Sequence, residues 1–339
     1  MMKPFELLSR LAAAAQPSGF EGPQAAILAE LARPFADEVY TDLVGNVICH
    51  KKGPGKRVMI PAHMDVLGLL VTDVDDRGYL RFEPLGGHAP FQLVGTTVRL
   101  ESGVRGSIWP DSEAGLGEKA LDQADIHDLF IDIGAESREE ALKLAPLGSV
   151  CAFDAPTVRL AGDWIMTPYA DDLSGCAAVL LAMEKIQNPA NDLWFVFSVQ
   201  EEVGCRGAVS AAWQIDPQLG IACDVCGTGD TPGELEHQRM QVRLGAGPTV
   251  KRKDGGMECD PQAVAHVLEA ARRAGVETQT EVLLGGTTDA RSMQLSRQGV
   301  PVTCVSIPCR NIHSPAEIVS ESDIEQAAAL LAAAAELAF

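Results

Sequence analysis

Four apolar runs in this chain each lead, within a few residues, to a histidine or a carboxylate, and no other feature limits the fold so strongly. Residues 57–62 run into His63 and Asp65, and residues 193–199 into Glu201 and Glu202. Residues 220–223 run into Asp224, and residues 302–307 into the segment that carries His313. Short continuous apolar runs read as strands buried on both faces, the condition of a parallel sheet covered by helices. Open sheets of that kind place their sites at the carboxyl ends of the strands. Helical spacing occupies residues 4–36, broken by Pro17-Ser18-Gly19, and returns at 175–187, 208–213, 261–274, 288–298 and 322–337. Further strands are expected at 39–40, 44–50 and 278–283. The fold class is therefore α/β: a mixed, mainly parallel sheet flanked by helices.

Between residues 69 and 160 the texture changes to short alternating segments separated by Gly, Pro and Asp, with one helix expected at 137–144. This reads as a small β-rich module set into a larger domain built from residues 1–68 and 161–339. A length of 339 residues suits two such units. A net charge of −20 argues against nucleic acid or an anionic membrane as partner, because both repel it. The apolar runs at 11–15 and 327–339 are too short to span a bilayer, which takes about 20 residues. Nine scattered cysteines suit a reducing compartment, so a cytoplasmic location is expected. Cys223 and Cys226 have CxxC spacing, a redox motif or half a zinc knuckle, but no second CxxC or CxxH completes a four-ligand site.

The strand-end residues make a chemically coherent set. Imidazole and carboxylate without thiolate suit Zn²⁺, Co²⁺ or Mn²⁺. Two such ions about 3.5–4 Å apart need about five ligands with one bridging carboxylate. His63, His313, Asp224, Glu201, Glu202 and the pair Asp171-Asp172 cover that need with a carboxylate to spare as base. Each also has an ordinary reading. A histidine at a strand end is commonly a hydrogen-bonded polar residue, an Asp pair before a helix a cap, and adjacent glutamates solvated surface. Their shared position at the ends of apolar runs favours the metal reading.

The local words carry more. PAHMDVLG (61–68), ADDLSGC (170–176), QEEVGCRGA (200–208), CDVCGTGDTPG (223–233), LGAGP (244–248), GGTTDA (285–290) and CRNIHSPAE (309–317) occur in that order. The chain resembles the tetrahedral (TET) and glutamyl aminopeptidases, di-metal metallopeptidases whose members often carry the label endoglucanase. The resemblance spans residues 7–331. It implies that His63 and Asp224 hold one metal, that Glu202 and His313 hold the other, and that Asp171 bridges them. It further implies Glu201 as general base, Asp65 as the residue orienting His63, and a cis peptide after Asp171. The inserted module would be PDZ-like and dimerising, and the assembly a homo-oligomer, a dodecamer built from dimers. The sequence departs from the usual pattern at Val66, Leu173, Gly227 and Asn311, where that family commonly has Glu, Arg, His and Tyr. None of these replaces an implied ligand or the base.

The expected function is removal of N-terminal residues from short peptides, with two divalent ions per chain. A deacylase or carboxypeptidase acting on another amide would share the site, and a non-catalytic assembly protein would share the fold. Glycoside hydrolysis fits poorly. It needs two carboxyls on opposite sides of the bond and leaves both histidines without a role.

Overall fold

The computed structural model describes residues 3–111, 125–232 and 240–339. Residues 112–124 of the inserted segment and Gly233, the last letter of the 223–233 word, lie outside them. The chain opens with α1 (Pro4–Ala13) and α2 (Gly22–Ala32), then β1 (Glu38–Thr41), β2 (Val47–Lys51) and β3 (Arg57–His63). It later returns through β10 (Val158–Arg159), β11 (Trp164–Thr167) and a long helix at Ala170–Lys185.

The insertion itself holds β4 (Gly68–Val74), β5 (Leu80–Leu85), α3 (Pro90–Leu93), β6 (Thr97–Leu100), β7 (Arg105–Pro110), β8 (Leu129–Asp132), α4 (Arg138–Leu144) and β9 (Val150–Phe153). Its six strands close into a barrel in the order β4-β5-β8-β7-β6-β9. The reason is visible along the strands. Leu80, Phe82, Leu129 and Ile131 are buried while their neighbours are not, and Ile108 pairs with Ile131 across β7 and β8. Inward side chains fill a barrel this small.

The helix at Ala170–Lys185 is α5. Then come β12 (Asp192–Ser198), α6 (Arg206–Ile215), β13 (Leu219–Gly227), β14 (Thr249–Lys253), α7 (Pro261–Ala274), β15 (Gln279–Val282), α8 (Asp289–Gln294), β16 (Val302–Arg310), β17 (Glu317–Ser320) and α9 (Glu321–Glu336). The large sheet runs β1-β2-β12-β3-β13-β16-β17-β11-β10, with β14 on β16 and β15 on β14. Its centre, β12-β3-β13-β16, is parallel, and the additions at its flanks are antiparallel apart from β15 on β14. Alternation along β3 explains the two helical layers. Val58, Ile60 and Ala62 join a core with α1, α5 and α9, whereas Met59 joins a second core with α6 and α8.

Two local expectations needed correction. β13 does not stop before Asp224 but stays paired with β16 through Gly227↔Cys309, so Asp224 lies inside a strand. A single carboxylate in an apolar run does not end a ladder whose neighbours continue. Glu201 and Glu202 are not on an extended strand end. β12 stops at Ser198, Gln200 has φ +56°, and a turn follows in which the Gly204 and Cys205 N–H groups donate to the Glu201 carbonyl. The CxxC pair lies on β13, both thiols buried and free, three residues apart and so on opposite faces. It is neither a redox helix motif nor half a knuckle.

Candidate active site

The sequence-named residues converge at the carboxyl edge of the parallel strands. β3 delivers His63 and the loop after it Asp65. The turn after β12 delivers Glu201 and Glu202, β13 delivers Asp224, and the loop between β16 and β17 delivers His313. Asp171 comes from the first residues of α5. It and Asp172 have non-helical backbone angles, and the peptide between them is cis.

Asp171 lies between the two histidines. Its Oδ1 is 3.0 Å from His63 Nε2 and its Oδ2 is 3.4 Å from His313 Nε2. His63 Nε2 is also 4.0 Å from Glu201 Oε2 and 4.0 Å from Asp224 Oδ1, while His313 Nε2 is 3.5 Å from Glu202 Oε2. Asp172 does what an aspartate before a helix ordinarily does. Its Oδ1 accepts from the Gly175 N–H at 3.0 Å, and its Oδ2 accepts from the His63 N–H at 3.2 Å. The two adjacent aspartates thus divide between the histidines and the cap.

Asp65 acts on both halves of the cluster. Its main-chain carbonyl accepts from His63 Nδ1 at 3.1 Å. That bond places a ring proton on Nδ1 and turns Nε2 toward the carboxylates. The Asp65 carboxylate is 3.6 Å from the same nitrogen, too long for a hydrogen bond. It accepts instead from the Glu201 N–H at 2.9 Å, the Glu202 N–H at 3.2 Å and the Ser18 hydroxyl at 2.6 Å. A buried aspartate thereby holds the glutamate-bearing turn against β3.

Sequence reasoning missed Glu317. Its buried carboxylate accepts from the Asp171 N–H at 2.9 Å and the His313 N–H at 2.7 Å, tying the backbones of two site residues together. The only signal was its place as the last letter of CRNIHSPAE. The barrel also reaches the site. Gly86, at φ +90°, follows β5, and a Cβ there would come within 2.2 Å of Leu67 Cδ2 and 3.3 Å of Glu202 Cβ. Only glycine lets the barrel approach Glu202 this closely.

Burial dominates the electrostatics. It pushes Glu201 and Glu202 well above the usual carboxylate range, with neighbouring carboxylates adding to the effect. Burial, opposed by His63 but reinforced by Asp171, brings Asp224 up to about 7. Asp171 goes the other way: burial would raise it, but the hydrogen bonds to His313 and His63 prevail and hold it low. Burial alone would lower both imidazoles. Asp171 instead brings His313 to about 8, and with the carboxylates of Asp65 and Glu201 it lifts His63 well above 6.5.

Such a cluster fits a cation. Two Nε2 atoms face carboxylate oxygens at 3.0–3.5 Å, and Glu202 Oε1 is buried with no hydrogen-bond partner. His63, Asp171 and Glu202 offer ligand atoms within 4.8 Å of one another, and so do His63, Asp172 and Asp224. The cluster lines an open cavity of about 360 Å³ with Leu283, Thr287, Arg291 and Ile312, large enough for one side chain and a scissile bond.

A parallel sheet bearing a histidine–carboxylate cluster at its carboxyl edge, under an open cleft, is suited to metal-assisted hydrolysis. Comparison with known proteins agrees. Residues 45–330 match the M42 glutamyl aminopeptidase family. A putative aminopeptidase of Acetivibrio thermocellus is 39% identical over 96% of this chain and 97% of its own. Aminopeptidase APDkam598 from the archaeon Desulfurococcus kamchatkensis superposes with a TM-score of 0.93 at 34% identity, covering 98% of this chain and 94% of that one. The dodecamer structure of PhTET1 gives 0.87 at 30% identity, covering 98% and 99%. The chain belongs to the M42 glutamyl aminopeptidase family.

Proposed function

We propose that this protein is a di-metal aminopeptidase that removes the N-terminal residue from short peptides. The observation that carries the reading is Asp171, whose two oxygens face the Nε2 atoms of two histidines that each meet a further carboxylate. In this reading His63 and Asp224 hold one divalent ion, Glu202 and His313 the other, and Asp171 is shared. When bound, the ions polarise the scissile carbonyl and lower the pKa of water at the site. Zn²⁺ and Co²⁺ suit the donors best, and Mn²⁺ is compatible.

Glu201 is the general base. Its Oε1 accepts from the Cys205 thiol at 3.1 Å, which leaves Oε2 directed at the cluster. It takes a proton from the attacking water and returns it to the leaving amine, a role typically contributing ~10²–10⁴-fold. Asp65 positions His63 through its carbonyl and the glutamate turn through its carboxylate. The expected bounds of 1–68 and 161–339 for the catalytic domain shift slightly, to 1–67 and 158–339, because β4 belongs to the barrel from Gly68 and β10 belongs to the large sheet. The module between them, expected at 69–160, mediates self-association, with a homododecamer as the assembly, the state described for PhTET1. The nine free thiols support a cytoplasmic location. Among the described residues no helix is long and apolar enough to cross a membrane.

The test is a panel of aminoacyl anilides with N-acetyl controls, run after reconstitution with Zn²⁺, Co²⁺ or Mn²⁺. Cleavage is expected only where the amine is free. Elemental analysis should show about two ions per chain, and about one fewer in His63→Ala. Cleavage of acetylated substrates, or full metal content in both His63→Ala and Asp171→Ala, overturns the reading.

A further inference from the structure

Among the described residues, the cavity beside the cluster is lined by one lysine and one arginine, and they differ in one respect. Lys251 is fully buried and already paired, its Nζ 3.1 Å from Glu281 and 3.5 Å from Asp254. Arg291 is exposed, and among the described residues its guanidinium has neither an ion pair nor a hydrogen bond. The other cations of this region are occupied or elsewhere. Arg310 is bound to Asp230 at 2.8 Å and lies over the Trp164 ring, Lys253 reaches Glu258, and Arg252 does not line the cavity.

Arg291 is firmly seated. It projects from α8, whose Ala290 and Met293 are buried between the sheet and α6. Its stem passes over Gly256, where a Cβ would come within 2.7 Å of Arg291 Cδ and 2.4 Å of Thr287 Oγ1. Thr287 Oγ1 is itself buried without a hydrogen-bond partner, and Thr287 lines the same cavity. The stem of an arginine with an unpaired guanidinium and an unpaired threonine hydroxyl therefore border one glycine on one wall. The Leu283 and Ile312 side chains offer apolar surface for methylenes elsewhere in the cavity.

We propose that Arg291, assisted by Thr287, is the specificity-determining residue that binds a substrate carboxylate in this cavity. The proposal rests on the peptidase reading above, because it is the peptide nature of the substrate that makes the anion a carboxylate. A peptide offers that group in two places: the side chain of an N-terminal Asp or Glu, or the C-terminus of a dipeptide. An approaching anion meets a cluster rich in carboxylates, so a fixed guanidinium is what makes its entry favourable.

The experiment compares wild type, Arg291→Ala and Arg291→Lys, each loaded with the metal that supports activity. One arm measures kcat/KM for glutamyl and leucyl anilides, the other for Leu-Gly and Leu-Gly-amide. A third readout is calorimetric binding of L-glutamate against L-norleucine, which needs no turnover. In Arg291→Ala the glutamyl-to-leucyl ratio is expected to fall about ten- to a hundred-fold, the usual worth of a charged hydrogen bond, and Arg291→Lys to recover part of it. The same fall in the Leu-Gly to Leu-Gly-amide ratio would assign the carboxylate to the C-terminus instead. If both ratios and the glutamate–norleucine difference stay within about two-fold of wild type, or if all substrates weaken together, the proposal is overturned. Should wild type cleave no free-amine substrate, the peptidase reading fails, while calorimetry still decides the role of Arg291.

Discussion

Two clusters of buried charge border the same cavity, and they are built on opposite terms. Around Lys251 the chain supplies its own balance. One ammonium faces Glu281 and Asp254, Thr249 Oγ1 donates to Glu281 Oε2 at 2.5 Å, and Asp254 Oδ1 also accepts from the Gly256 and Met257 N–H groups at 2.8 Å. At the strand ends, among the described residues, the carboxylates of Asp171, Glu201, Glu202 and Asp224 form ion pairs with two imidazoles alone, and Glu202 Oε1 is left without a hydrogen-bond partner. Buried charge costs several kcal/mol per ion unless paired. The first cluster is closed within the chain, whereas the second calls for cations from outside.

The largest effect should come from the open cluster. Glu201→Gln keeps the shape of the side chain but cannot take a proton, so turnover should fall ~10²–10⁴-fold with metal content unchanged. A rate within a few-fold of wild type would remove Glu201 from its role. In the closed cluster the matching change should cost stability. Lys251→Met leaves Glu281 and Asp254 buried without their cation, and chemical denaturation should show a loss of about 3–5 kcal/mol. An undiminished midpoint would mean that the pair is not needed to hold β14 on β15.

A third expectation uses pH. Asp224 is raised to about 7 and His313 to about 8, both above their ordinary values, so the folded chain binds these protons more tightly than the unfolded one. Their stabilisation is present below the unfolded pKa values and is lost as pH rises through the folded ones. Chelator-treated protein should therefore melt at falling temperature from pH 5 to pH 8, and added Zn²⁺ should raise the melting point most at pH 8. A flat profile would show that the cluster is balanced without cations. The smallest effect sharpens the same contrast. Asp224→Asn should raise the melting temperature of chelated protein by a few degrees at pH 8 and lower that of the metal-loaded form.

Much of this was legible along the chain. His63, Glu201, Glu202, Asp224 and His313 stood out because each follows an apolar run, and the near-continuous apolar content of residues 57–62 and 220–223 marked runs that could be buried on both faces. The turn at Glu201 was not legible, because its cause lies elsewhere in the sequence: the Asp65 carboxylate holding two N–H groups. Glu317 escaped for a similar reason. A glutamate four residues after a histidine looks like surface until β17 brings it beneath Asp171.

What the sequence determined by itself, then, is the main helices, the central strands, the parallel centre of the sheet, and the residue types waiting at its edge. These follow from local period and apolar content, which each segment carries whatever its neighbours do. Only the tertiary structure decided which of two adjacent aspartates meets the histidines and which caps a helix. It also decided that Lys251 is consumed by Glu281 while Arg291 stays free. Such choices depend on which distant segments supply a partner, and the pairing of charges is settled only when the strands are stacked in space.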